Sequence, residues 1–387
     1  MSALAPLSPD EAGHEARVVA HIGAAIDAAG GWIPFSRYMQ LALYAPGLGY
    51  YAAGAHKLGA GGDFVTAPEL SPVFGRCLAS EVGGILAVLG GGDVLEVGAG
   101  SGALAAELLA ALERAGRLPR RYLILETSPD LRHRQQAALA ALPAALGARL
   151  AWLERPPETP FAGVVIANEV ADALPVERFR VGEGGVLQLG VARAQDRFAW
   201  QARPADAALA AAVAALGVAL PVGYESELCP LLAPWLATVT APLAAGVALF
   251  LDYGATRAEY YGPERRGGTL GCFFRQRRHE DPFVRVGLQD LTAWVDFTAL
   301  AEAGLAAGLA VAGYTTQAHF LIGNGFERHL AEVRAGLGPE REPLAARAAL
   351  RLVLPTDMGE RFKCLALARA YEAPLAGFVL RDLAATL

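Results

Sequence analysis

Cysteine is scarce in this chain. Four occur in 387 residues, at positions 77, 229, 272 and 364, and none forms a C-x-x-C pair. That spacing excludes a disulfide framework and a structural zinc site, and it fits reduced, mostly buried thiols in a cytoplasmic protein. His279-Glu280-Asp281 has no second histidine at ligand spacing, so no metal centre is expected. Charge is sparse as well: Asp, Glu, Lys and Arg make up 19% of the residues, with a net charge of −6. A basic face for nucleic acid is missing, and no nucleic-acid partner is expected. The first thirty residues carry Asp10, Glu11 and Glu15 and lack a basic segment leading into an apolar run. They read neither as a secretory signal nor as an arginine-rich, acid-poor presequence. No serine stands in a G-x-S-x-G setting, which leaves serine hydrolysis without support. Residues 229–251 carry no charge, but Pro230, Pro234, Pro242 and Gly246 interrupt them. They read as a helix over 231–240 and a buried strand over 246–252, and no membrane insertion is expected.

What the chain does have is Asp93-Val-Leu-Glu-Val-Gly-Ala-Gly-Ser-Gly102. An apolar strand runs into glycines 98, 100 and 102, and a helix-like run follows from Ala103. Strand, glycine turn and helix open a nucleotide-binding Rossmann unit, where a ligand must approach the backbone closely. The glycines alone also satisfy the dinucleotide pattern G-x-G-x-x-G/A. Glu96 argues for a different ligand. A carboxylate beside the turn disfavours a pyrophosphate and favours the sulfonium and ammonium groups of S-adenosylmethionine. The next strand, 121–126, ends in Glu126, where an acid can accept from both ribose hydroxyls.

Apolar strands over 93–97, 121–126, 149–153 and 162–167 alternate with helices over 101–115 and 130–142. The alternation predicts a mostly parallel sheet covered on both faces. Four segments are expected: an N-terminal helical and lid segment (1–90), a Rossmann-like core (91–175), inserted antiparallel strands and helices (176–245), and a C-terminal completion of the sheet (246–387) with a substrate-side insertion at 255–296. The glycine- and aromatic-rich residues 47–70 are expected to cover the donor. Within them, Thr66-x-x-Glu69 is also a capping-box pattern that can simply end a turn.

Asn168-Glu169-Val-Ala-Asp172 follows the strand 162–167 and stands at a carboxyl strand end, the usual crevice of open α/β sheets. If a helical turn begins at 169, Glu169 and Asp172 share one face. The alternative is a helix start whose acids merely favour its dipole.

The ordered motifs resemble the MidA-like methyltransferases, the group that contains the mitochondrial assembly-factor arginine methyltransferase of respiratory complex I. They are Pro34-Phe-Ser-Arg-Tyr-Met39, Gly49-Tyr-Tyr51, Gly62-Asp-Phe-Val-Thr-Ala-Pro-Glu-Leu-Ser71, the glycine turn, Glu126-Thr-Ser-Pro129, Asn168 to Val176, Gln289 to Thr298, and Met358 to Lys363. The resemblance implies a class I methyltransferase fold with a seven-stranded sheet and S-adenosyl-L-methionine as cofactor. It also implies dimethylation of a protein arginine, with a complex I subunit as one candidate substrate. It places Asp63, Thr66, Thr127, Ser128 and Asn168 with Glu96, Gly98, Gly100, Gly102 and Glu126 at the donor, and Glu169 and Asp172 as the catalytic pair that orients a guanidinium. Four positions, at three places in the chain, depart from the family pattern. The aromatic pair between Glu169 and Asp172 is Val170-Ala171, Trp294 replaces histidine, and Gly271 replaces arginine. A methyltransferase for a small molecule or another residue, and a donor-binding assembly chaperone without turnover, are the alternatives. The oligomeric state is left open, a homodimer included.

Overall fold

A computed structural model describes residues 4–53, 66–195 and 197–387. Its central sheet is built from runs of apolar residues long enough to be buried on both faces. These are β1 (Asp93–Val97), β2 (Tyr122–Leu125), β3 (Leu150–Leu153), β4 (Phe161–Asn168), β5 (Leu243–Ala255), β6 (Ala310–Thr316) and β7 (Phe362–Arg369). The spatial order is β6-β7-β5-β4-β1-β2-β3. Only β7 runs against the others. Seven strands thus form the continuous path, and the expectation of seven needs one addition. Val295–Asp296 pairs in parallel with the far end of β5 as an eighth, two-residue strand.

Alternate residues of each strand point to opposite faces, so one sequence run feeds two cores. Val94, Ile124, Val164 and Ile166 pack on one face against the helices α3 (Pro72–Val88) and α4 (Ala103–Arg114). Leu95, Leu123, Val165 and Phe250 pack on the other, against Leu232–Thr240 and Phe297–Ala306. Ser71 opens α3, its hydroxyl accepting from Val73 N–H at 3.3 Å.

The N-terminal helices α1 (Pro9–Ala28) and α2 (Phe35–Tyr44) are separated at Gly30-Gly31 by Trp32–Pro34. That strand pairs with Gly190–Ala192 in a second sheet made of Glu177–Gly182, Gly185–Ala194, Arg197–Pro204 and Glu225–Leu228. The charged excursion after β5 holds a small three-stranded sheet over Gly271–Phe274, Arg277–His279 and Asp290–Thr292. Among the described residues no helix is long and apolar enough to cross a membrane. The uncharged stretch at 229–251 resolves instead into Leu232–Thr240 and most of β5.

Candidate active site

β1 ends at Val97, and the chain must turn sharply over the sheet edge into α4. Gly98, Gly100 and Gly102 make that turn with φ of 66°, 54° and 84°, a region that a Cβ disfavours. The three do different work. Gly98 and Gly100 line a cavity of about 1230 Å³ at the carboxyl ends of β1 to β4. Gly102 stands outside that wall, caps α4, and packs towards Leu139. Its part in the turn is to give the chain the left-handed bend that opens α4.

Glu96 lies in the same wall, only 3% exposed. It accepts from the Tyr122 hydroxyl at 2.7 Å. Burial pushes its carboxyl up to about 7, against the pull of the Tyr122 bond. At the end of β2, Glu126 is held from two sides. Ser128 N–H donates to one oxygen at 2.8 Å, and the Gln135 amide donates to the other at 3.0 Å. Each oxygen keeps lone-pair capacity for a ligand. Ser128 caps α5 (Pro129–Leu139) and donates its hydroxyl to the Tyr51 carbonyl at 2.8 Å, which draws the 44–53 segment onto the cavity. Thr127 and Thr66 line the cavity too. Thr66 N–H donates to Glu69 Oε2 at 3.2 Å, so the capping pattern and the wall position coincide in one residue. Asp63 and the middle of the expected lid lie outside the described residues. The flanks of that segment, including Gly47, Tyr51 and Pro68, line the cavity.

Asn168 ends β4 and Glu169 follows it. The Asn168 amide donates to Glu169 Oε1 at 3.2 Å, and its own carbonyl oxygen is buried with no partner among the described residues. Ala67 N–H donates to the same Glu169 oxygen at 2.9 Å. Both bonds use Oε1, and the side chain faces the cavity. Burial pushes its carboxyl up to about 8, reinforced by the neighbouring Asp172. The expectation that Glu169 and Asp172 share a helical face is corrected. Glu169 has φ 53°, in the left-handed region, and the only helical residues nearby are the 3₁₀ turn Ala171–Ala173. Asp172 is buried behind the wall rather than in it. The Tyr253 hydroxyl contacts it, and burial pushes its carboxyl up to about 6.

Several cavity residues were not singled out by sequence reading. Tyr44 is one, and it stacks on Tyr51, which belongs to the expected covering segment, with ring centroids 5.6 Å apart. Their hydroxyls donate to the Ala173 carbonyl at 2.8 Å and to Asp290 at 2.9 Å. Glu154 and Arg155 follow β3 and line the cavity together with Trp235. The signal for Glu154 was available: an acid just past a strand end, the same feature that marked Glu126. The departures Trp294 and Gly271 lie outside the cavity wall. Trp294 carries the Arg265 guanidinium over its ring at 4.5 Å, and Gly271 pairs with Thr292.

The wall therefore offers open backbone at Gly98 and Gly100, a carboxylate at a strand end, an unanswered amide oxygen, and acids at 96, 126, 130, 154 and 169 against the single base Arg155. These residues suit a ligand with paired hydroxyls and positive charge, and S-adenosylmethionine has both. No group of three or more His, Cys, Asp or Glu among the described residues is arranged to hold a metal.

Comparison with known proteins bears on the same chemistry. The mitochondrial protein arginine methyltransferase NDUFAF7 homolog of Drosophila melanogaster is 27% identical, over 87% of this chain and 82% of that one. The mitochondrial protein arginine methyltransferases NDUFAF7 of Danio rerio and Homo sapiens are each 27% identical, over 89% and 87% of this chain and 85% and 80% of theirs. The expected cytoplasmic location is overturned by these relatives, which are mitochondrial by name. Cysteines that are free and far apart do not single out one compartment. A methyl transferase-like protein of Burkholderia thailandensis, crystallised with S-adenosyl-homocysteine, is 43% identical with a TM-score of 0.93 over 100% of both chains. The family model for S-adenosyl-L-methionine-dependent methyltransferases matches residues 77–315, and the chain belongs to that family, whose methyl donor is S-adenosylmethionine.

Proposed function

We propose that this methyltransferase acts on an arginine side chain of a protein. The observation that carries the reading is Glu169. It stands at the cavity wall with Oε1 fixed by Ala67 N–H and the Asn168 amide, and neither of those bonds uses Oε2. A guanidinium has five donors in a rigid fork, and a positioned carboxylate matches it. The size of the cavity supports a two-ligand site. About 1230 Å³ exceeds the roughly 300–1,000 Å³ usual for one small ligand. The names of the relatives support the same acceptor.

S-adenosylmethionine, when bound, supplies an already activated methyl group. Glu96, Gly98, Gly100, Glu126 and Asn168 are the residues that would hold it. What remains for the protein is alignment, and positioning of this kind supplies at most roughly 7–11 kcal/mol of a barrier. The guanidinium nitrogen forms the new bond to carbon as the sulfur–carbon bond breaks. With a pKa above about 12, it is not deprotonated beforehand at neutral pH, so its proton leaves during or after transfer. Glu169 orients the fork and stabilises the charge that remains on it. Tyr44 and Tyr51 narrow the approach and exclude water.

The test is mass spectrometry of methylarginines in proteins from cells with and without this chain, starting with respiratory complex I subunits, which the motif resemblance makes the first candidates. A methylarginine that disappears with the chain supports the reading. An unchanged methylarginine inventory, alongside another methylated residue or small molecule that does disappear, overturns it.

A further inference from the structure

The aim of Glu169 depends on its backbone being held at φ 53°, a left-handed conformation that non-glycine residues adopt uncommonly. The hold comes from a different strand. β5 runs in register beside β4, with Leu251 opposite Asn168, and the Leu251 carbonyl accepts from Glu169 N–H at 2.9 Å. One residue further along β5 is Asp252, 2% exposed. Its Oδ2 accepts from three consecutive backbone N–H groups, those of Val170, Ala171 and Asp172, at 3.2, 3.0 and 3.2 Å. Its Oδ1 accepts from Tyr253 N–H at 2.9 Å. Three successive N–H groups converging on one oxygen form a concave anion cradle, and here the anion is part of the chain.

We infer that Asp252 is a positioning residue for the methyl-transfer site: its carboxylate pins the 170–172 turn, the pinned turn sets the direction of the Glu169 side chain, and Glu169 in turn anchors the cavity wall at Ala67. The chain of contacts is continuous, from Asp252 through the turn to Glu169 Oε1 and on to Ala67 N–H. It links three parts of the chain that lie far apart in sequence. Asp252 itself is absent from the cavity wall. Burial and the nearby Glu169 and Asp172 push its carboxyl up, and the four N–H donors pull the other way. Either form of the acid keeps an acceptor oxygen for the cradle, so the geometry does not depend on which prevails.

The inference rests on Glu169 being the acceptor-side carboxylate, and the test is chosen to be independent of that. Amide hydrogen exchange at Ala67 is followed in the protein saturated with S-adenosyl-homocysteine, with its affinity measured by calorimetry. Asp252→Ala should raise exchange at Ala67 by about tenfold or more while amides within β1 and β4 stay protected. Affinity for S-adenosyl-homocysteine should stay within about threefold, because Glu96 and Glu126 are untouched. Asp252→Asn, which keeps an acceptor oxygen, should restore most of the Ala67 protection. In a Glu169→Ala background, Asp252→Ala should add less than about twofold, as expected for two residues acting on one bond. Unchanged exchange at Ala67, or equal effects in both backgrounds, overturns the inference. If Asp252→Ala does not fold, Asp252→Asn carries the same two-background comparison at smaller amplitude. Failure of the Glu169 reading shows separately, as wild-type methyl transfer by Glu169→Gln.

Discussion

At the scale of single residues, the site depends on acids held away from their usual ionisation range. Glu96 titrates near 7 because it is buried, with only the Tyr122 hydroxyl to favour its charged form. A cationic ligand stabilises the carboxylate over the acid. The donor should therefore bind weakly where Glu96 is protonated and more tightly as pH rises through 7. S-adenosylmethionine affinity is expected to rise about tenfold from pH 6 to pH 8, the limit for one group being tenfold per unit below its pKa. S-adenosyl-homocysteine, without the sulfonium charge, should show a weaker slope, and Glu96→Gln should flatten both. Calorimetry at the two pH values decides this; an equal slope in Glu96→Gln would remove Glu96 from the account. Glu169 calls for a different measurement. Glu169→Gln should leave donor affinity within about threefold and lower the single-turnover rate of methyl transfer about 10²- to 10⁴-fold, the signature of an interaction made mainly in the transition state. Asp172→Asn should act more mildly, since Asp172 sits behind the wall. Loss of donor binding in Glu169→Gln would make Glu169 a cofactor residue instead.

At the scale of elements, α5 links the two donor-binding strand ends. Gln135, fully buried, donates from its one amide nitrogen to the Gly100 carbonyl at 3.1 Å and to Glu126 Oε2 at 3.0 Å, while its oxygen accepts from Trp152 Nε1 at 3.1 Å. Every polar atom of the side chain is used, and the glycine turn and the Glu126 carboxylate are fixed relative to each other. Gln135→Ala removes a hydrogen bond to a charged acceptor, worth about 1.5–3 kcal/mol, and leaves buried partners unanswered. S-adenosyl-homocysteine affinity should fall about tenfold, which corresponds to about 1.4 kcal/mol, together with a lower melting temperature. Unchanged affinity in a folded variant would show that Glu126 needs no such support. Gln135 also shows why part of the site was not legible in the sequence. It lies in Asp-Leu-Arg-His-Arg-Gln-Gln, a polar run that reads as a solvated helix, and nothing in the run says which glutamine turns inward. Glu96, Glu126 and the glycine turn were legible because local pattern alone puts them at strand ends. Glu169 was legible by position but not by conformation, because its left-handed backbone is imposed by Asp252 from a strand about eighty residues away. The sheet was legible for the same reason as its strand ends, while Trp32–Pro34 was not. Three residues carry no periodicity, and that strand exists only because Gly190–Ala192 offers an edge.

At the scale of the whole molecule, the cavity is a seam. Its wall draws on the 44–53 turn, the 66–70 turn, the ends of β1 to β4, and the helix Leu232–Thr240. These pieces meet through few direct bonds across the seam, such as Ser128 to Tyr51 and Ala67 to Glu169. A ligand in the seam touches all of them and is lost when any of them departs, so its binding free energy adds to the stability of the folded state as a whole. At a concentration one hundred times its dissociation constant, a ligand of the native state alone stabilises by about 2.7 kcal/mol. Unfolding entropy of about 2.1 cal/mol/K per residue gives roughly 0.8 kcal/mol/K for a chain of this length, so S-adenosyl-homocysteine should raise the melting temperature by about 3 °C. NAD at the same concentration should give no shift, because its pyrophosphate would meet Glu96 beside the glycine turn. Thermal scans with each ligand test this directly. A shift with NAD equal to that with S-adenosyl-homocysteine would mean that the acids do not discriminate by charge, and the argument that reads Glu96 as selecting a cationic donor would fall with it.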